Sequence, residues 1–241
     1  MKPPFLGTRI VDDISLEDIE PLIDREALFV GRWQFRRGVD VDGWAKLKLE
    51  KAVPIYERMM AMCKAQNILT PMFVYGYFKC RRSASSLFVE GETRRFRFDF
   101  PREKKVPHRC IADLFPEGFV VFQVATVGRR VNEFAAKKFS NSAYSESFYL
   151  KGLAAEAAEA TASFAHRHIR EELGVSRDVG ARFSPGYPSF PDLLEQRKIM
   201  KLLDPKRIGV DLTTTCMFVP EHTTSAIISV DSGATLFNPN A

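Results

Sequence analysis

Cysteine is scarce in this chain. Cys63, Cys80, Cys110 and Cys216 lie far apart, with no C-x-x-C pair. That excludes a zinc clamp or redox dithiol of this spacing, and also a disulfide scaffold. Free, mostly buried thiols in a reducing compartment are the expectation. Long apolar runs are missing too. The longest, residues 119–127, is interrupted by Gln123 and falls far short of the roughly 20 residues that span a bilayer. The opening MKPPFLGTRIVDD lacks the apolar core of a signal peptide. A soluble, cytoplasmic protein with no membrane partner is expected.

Several chemistries are absent as well. No G-x-G occurs, which removes the dinucleotide fingerprint, and no G-x-x-x-x-G-K-[ST] cradles a nucleotide phosphate. No G-x-S-x-G elbow serves acyl transfer. His108, His166, His168 and His222 form neither H-x-x-x-H nor H-E-x-x-H, so no metal set is expected. His168 falls on the apolar side of a helix, where a hydrogen-bonded core histidine is the simpler reading.

What is present is an ordinary globular composition, 45% hydrophobic and 27% charged over 241 residues. At roughly 150 residues per domain this is one large domain or two packed closely. No repeat, linker or low-complexity segment divides it, so one continuous domain over 1–241 is expected. Lys plus Arg number 35 against 30 Asp plus Glu, a net +5, which raises nucleic acid as a partner but does not form a basic stripe. The densest basic segment is 94–109, where Phe96, Phe98 and Phe100 alternate with Arg95, Arg97 and Asp99. That pattern suits a strand with one buried face; a stacking platform for single strands is the alternative.

The periodicity predicts a short helix or turn over 18–28, followed by 29–35, and a helix from Pro54 carrying Ile55, Met59, Met62 and Cys63. Strands are expected at 73–78, 87–90, 94–100 and 119–126, and a short helix at 131–139. The strongest helix runs over 144–173. Leu150, Leu153, Ala157, Thr161, Phe164 and His168 lie along one face, with Glu156, Glu159, Ser163, Arg167 and Arg170 opposite. Gly174 closes it as a cap. A shorter helix follows Pro191-Asp192, with Leu194, Ile199, Leu202 and Leu203 as its apolar side. Residues 208–218 and 225–230 read as a terminal pair of strands. Without a βαβ beat, the fold class is α+β with a largely antiparallel sheet.

One segment stands out, Arg182-Phe-Ser184-Pro185-Gly186-Tyr187-Pro188. Pro185-Gly186 suits the centre of a type II turn, with glycine at positive φ. The turn gathers an arginine able to grip a carboxylate, open backbone groups and a tyrosine ring able to face a cation. A rigid surface loop with a structural arginine is the competing reading.

The stretch RFSPGYPSFPD resembles the R-x-x-P-G-Y-P-x-x-P-[DE] signature of the activation domain of cobalamin-dependent methionine synthase. Residues 8–23, Asp24 with Phe29 and Trp33, AQNILTPMFVYGY at 65–77, CIADLF at 110–115 and the 144–173 helix resemble further family segments, in the same order over nearly the whole chain. The resemblance implies a single curved α+β domain around a twisted sheet that binds S-adenosylmethionine. By position it assigns ligand contacts to Arg182, Ser184, Gly186 and Tyr187, with Asp24 and Glu159 as acidic contacts. Tyr187 is also expected to act in catalysis by keeping water from the methyl group. Two departures stand beside this. Ser189, Phe190, Asp192 and Leu193 replace the family's Cys and His continuation, and Leu236-Phe237 stands where a tyrosine helps hold the adenosyl portion.

The family couples a one-electron reduction of cob(II)alamin to methyl transfer from S-adenosylmethionine. No D-x-H-x-x-G occurs here to ligate cobalt, so a stand-alone activation subunit acting on cobalamin supplied in trans by a partner methyltransferase is expected. An acidic electron donor such as a flavodoxin suits the net charge. The alternatives are a non-catalytic docking protein with a degenerate methyl-donor site and a basic nucleic-acid-binding module.

Overall fold

Runs of Phe, Val and Tyr lay down the strands, and their alternation decides which face each residue serves. In the computed structural model, which describes residues 2–36, 40–115, 118–231 and 233–234, seven strands form one sheet. These are β1 (Gly7–Val11), β2 (Met72–Ser83), β3 (Ser86–Glu90), β4 (Arg95–Asp99), β5 (Gly118–Thr126), β6 (Ala181–Phe183) and β9 (Thr223–Ser229). The order is β4-β3-β2-β5-β9-β6, with β1 also on β2, and every pairing is antiparallel. Central β5 is buried on both faces beyond Gly118, which is why it reads as a nearly unbroken apolar run.

The expected terminal strand pair is not there. Residues 205–208 form a 3-10 turn, and only β7 (Asp211–Leu212) and β8 (Phe218–Val219) pair, as a two-residue ribbon. β9 pairs instead with β5 and β6. Strands of two residues are too short to show a period, so 208–218 cannot be parsed by alternation.

The helices are α1 (Leu16–Ile19), α2 (Val41–Leu47), α3 (Val53–Gln66), α4 (Arg130–Ser140), α5 (Tyr144–Leu173) and α6 (Gln196–Leu203), with π-helical turns at Ala27–Arg32 and Lys48–Ala52. Local chemistry sets their ends. Ser15 and Asp18 make a reciprocal capping box on α1, Pro54 opens α3, and Gly174 closes α5 in the left-handed region at φ +64°.

α5 lies on one face of the sheet, with α1, α3 and the Ala27–Arg32 turn packed on its outer side. It is therefore buried on more than one stripe. Ala154, Ala158, Ala162 and Ala165 are buried together with Leu150, Leu153, Ala157 and Thr161. On the polar face, Glu159, Ser163, Arg167 and Arg170 are half-buried. Glu156 is buried and accepts from Arg32 Nε at 2.8 Å. His168 is half-buried, its Nε2 at 3.2 Å from the Tyr75 hydroxyl.

The second face of the sheet packs Phe78, Phe98, Phe122, Phe183 and Phe190 against Ile199, Leu202 and Leu203 of α6. Leu194, expected on that apolar side, is exposed, because it falls in the 3-10 turn Leu193–Glu195 ahead of the helix. Phe96, Phe98 and Phe100 are buried, while Arg95 pairs with Glu90 and Arg97 with Asp99. Their rings are closed to a nucleobase and these arginines have acidic partners, so the half-solvated strand describes this segment. All four cysteines are free and buried. Among the described residues, no helix is long and apolar enough to cross a membrane.

Candidate functional site

β6 pairs with β9 in the register Arg182↔Ile228 and Phe183↔Ile227. Phe183 drops into the second core, and Arg182 therefore turns toward α5. Past the strand the chain reverses twice. Gly186 has φ +94°, the positive value that the Pro185-Gly186 turn demands of its second central residue. Its N–H donates to the Phe190 carbonyl at 2.8 Å, and the Phe190 N–H donates to the Tyr187 carbonyl at 2.8 Å. Phe190 is fully buried against the Phe100 ring at 4.9 Å. Asp192 then accepts from the Leu194 N–H at 2.9 Å and caps the next turn. Of the four residues that depart from the expected loop end, Phe190 and Asp192 thus anchor the loop, whereas Ser189 faces the cavity described next.

Between this loop, α5 and the sheet lies a cavity of about 460 Å³, within the range of small-molecule sites. Gln123 of β5 with Thr224 and Ala226 of β9 make its floor, and Glu159 and Ala162 of α5 one wall. Arg182 to Ser184 and Tyr187 to Ser189 complete it.

Charge in the cavity is incompletely satisfied. Arg182 Nη2 donates to Ser163 Oγ at 3.1 Å and lies 3.9 Å from Glu159 Oε2. Its Nη1 is buried without a partner. Burial pushes the guanidinium below its ordinary pKa, Arg170 adds to that and Glu159 opposes it. Leaving such a donor unmet costs at least about 1–3 kcal/mol. His166, buried on α5, is pushed down to about 3 by burial and by the charges of Arg170 and Arg182. It is a neutral ring at neutral pH and adds no cation beside Arg182.

Of the residues singled out in the sequence, the fold gathers Glu159, Arg182, Ser184 and Tyr187 around the cavity. Tyr187 stands at its mouth, 62% exposed. Gly186 does not line it; it shapes the loop that does. Asp24 is exposed and outside the lining. Its Oδ1 accepts from the N–H groups of Glu26 and Ala27 at 3.0 and 2.9 Å, a cap on the helical turn that starts at Arg25 and leads into Ala27–Arg32. Leu236-Phe237 lies outside the described residues. Gln123, Thr224 and Ala226 also line the cavity, and the sequence does not single them out as site residues. Gln123 alone carried a signal, as the polar break in an apolar strand; the other two reach the cavity only through the β5–β9 register.

The family described as vitamin B12 dependent methionine synthase, activation domain, matches residues 15–240. The chain belongs to this family. It is 32% identical to the methionine synthase of Mycobacterium tuberculosis and 30% to that of Mycobacterium leprae, each match covering 98% of this chain. It spans only 23% of the length of those relatives. A crystal structure of the MetH reactivation domain bound to AdoHcy superposes with a TM-score of 0.82 at 22% identity, covering 99% of this chain and 84% of that one. At that identity the likeness establishes the fold, an activation-domain architecture with its mostly antiparallel sheet and flanking helices.

Proposed function

We propose that this activation domain binds S-adenosylmethionine in the cavity beside Arg182 and uses it to remethylate an oxidised cobalamin carried outside these 241 residues. One observation carries the reading, the buried Arg182 Nη1 without a partner in a cavity that also holds Glu159. An open guanidinium donor asks for an anion, and an acid within 4 Å of it suits a neighbouring cation, as in an amino-acid end. The related reactivation domain bound to AdoHcy supports the choice of ligand.

In this proposal Arg182 takes the carboxylate and Glu159 faces the ammonium. Ser184 offers its backbone, and Gly186 holds the turn that presents it. Asp24 belongs to the set only through Oδ2, since its cap uses Oδ1. Bound S-adenosylmethionine supplies an electrophilic methyl group, accepted by a corrinoid that one electron has made nucleophilic. The chain's own contribution is positioning: a fixed amino-acid end sets where the methyl points, which is worth more than any acid or base here. Tyr187 at the mouth covers the ligand and keeps water from the transfer path. The corrinoid comes from a methionine synthase or related methyltransferase, and the net +5 suits an acidic donor such as a flavodoxin.

The test follows the visible spectrum of a cob(II) corrinoid protein given a low-potential electron source and S-adenosylmethionine. Adding this domain should convert the spectrum to the methylated form. Tyr187→Phe should retain most of the rate and Tyr187→Ala should lose most of it. Equal rates with and without the domain contradict the proposal and leave a docking role.

A further inference from the structure

The cavity lined by Arg182 is also lined by a residue with a second unpartnered atom, of opposite character. Gln123 stands in the middle of β5 with its side chain fully buried and turned toward α5. Its Nε2 donates to the Ala162 carbonyl at 3.1 Å, which fixes the amide, while Oε1 is buried without a partner. Across the sheet on one side is Ala226, whose small side chain leaves the cavity open. On the other is Tyr75, whose hydroxyl is engaged with His168. A valine or leucine would fill this mid-strand position without leaving an unmet acceptor.

Both groups are anchored to the same stretch of α5. The amide is tied to Ala162 and the guanidinium to Ser163, consecutive residues of α5. One needs a donor and the other an acceptor. The occupant must therefore present an N–H or O–H group next to an anion, and an α-amino acid end does so across a single carbon. A neutral amide accepts from an ammonium without adding a second full negative charge next to Glu159, which would work against the carboxylate.

We propose that Gln123 is a specificity-determining residue of this cavity, its Oε1 accepting from the α-ammonium of the occupant while Arg182 Nη1 takes the carboxylate. This rests on reading the cavity as an S-adenosylmethionine site, and it adds a group that selects ligands with a free amino-acid end.

The experiment titrates wild-type protein and Gln123→Met with S-adenosylhomocysteine and with its analogue bearing hydrogen in place of the α-amino group. Wild type should bind the analogue at least about 10-fold more weakly. Gln123→Met should bind S-adenosylhomocysteine about 10-fold more weakly than wild type and the analogue with little change, so that most of the discrimination disappears. Gln123→Asn keeps an amide in the core but draws it back by one methylene, and must show the same loss; it decides the matter if the Met variant does not fold. Unchanged binding by a folded variant, or equal losses for both ligands, overturns the role of Gln123 alone. Failure of wild type to bind S-adenosylhomocysteine overturns the reading of the cavity, and this role with it.

Discussion

Arg182 and His166 share one corner of the molecule, and burial lowers the pKa of both. The His166 ring is held neutral, with its pKa pushed down to about 3; an unfolded chain would titrate it near its ordinary 6.5. Between those values the unfolded state binds a proton that the folded state refuses. Stability from this residue is therefore complete above pH 6.5 and falls as pH drops below it, by up to about 1.4 kcal/mol per pH unit. Buried His222 is shifted in the same direction, chiefly by its burial. Urea midpoints measured from pH 7.5 to 5 should decline with acid, and His166→Gln should flatten that decline. An unaltered pH profile in the variant contradicts the burial argument. At this scale the sequence was legible where residue type implies chemistry, as in Arg182 with Tyr187. It was less so where a residue works through its surroundings: Gln123 was visible as a break in an apolar run, but its face and its open oxygen depend on α5.

Elements explain what single residues do not. The loop after β6 is fixed at one end by a glycine at φ +94° and at the other by the buried Phe190 ring. A side chain at Gly186 costs about 1 kcal/mol or more in backbone strain, and a Cβ there would also touch Leu193 Cδ1 at 3.4 Å. Gly186→Val should weaken S-adenosylmethionine binding several-fold while lowering the melting temperature only modestly. Affinity equal to wild type would show that the turn does not shape the site. α5 makes a second case. Its ends were legible to the residue, because an apolar stripe and a terminal glycine mark them. Its outer packing was not, since alanine fits both a solvated face and a close helix contact. Glu156 is the consequence, a buried carboxylate held by Arg32 at 2.8 Å. Arg32→Ala should destabilise the domain by up to about 3 kcal/mol in urea unfolding, below the usual cost of breaking a buried pair because Arg32 is half-exposed. No loss of stability would mean that the pair is replaced by water without cost.

For the whole molecule, the order β5-β9-β6 is decisive. It places Gln123, Ala226 and Arg182 on three strands of one sheet face, under a helix that supplies Glu159 and Ala162. Class and most strands could be read from alternation. The terminal strand order could not, because pairing between residues a hundred positions apart leaves no local period, and the site depends on that order. Family membership adds what topology alone does not, a ligand class to test in this cavity. The most direct measurement is calorimetric titration of the folded domain with S-adenosylmethionine, wild type against Arg182→Ala. Saturable binding is expected, with the variant roughly 10- to 150-fold weaker, the worth of one charge-assisted contact of about 1.5–3 kcal/mol. No binding by wild type, or equal binding by a folded Arg182→Ala protein, would contradict the account.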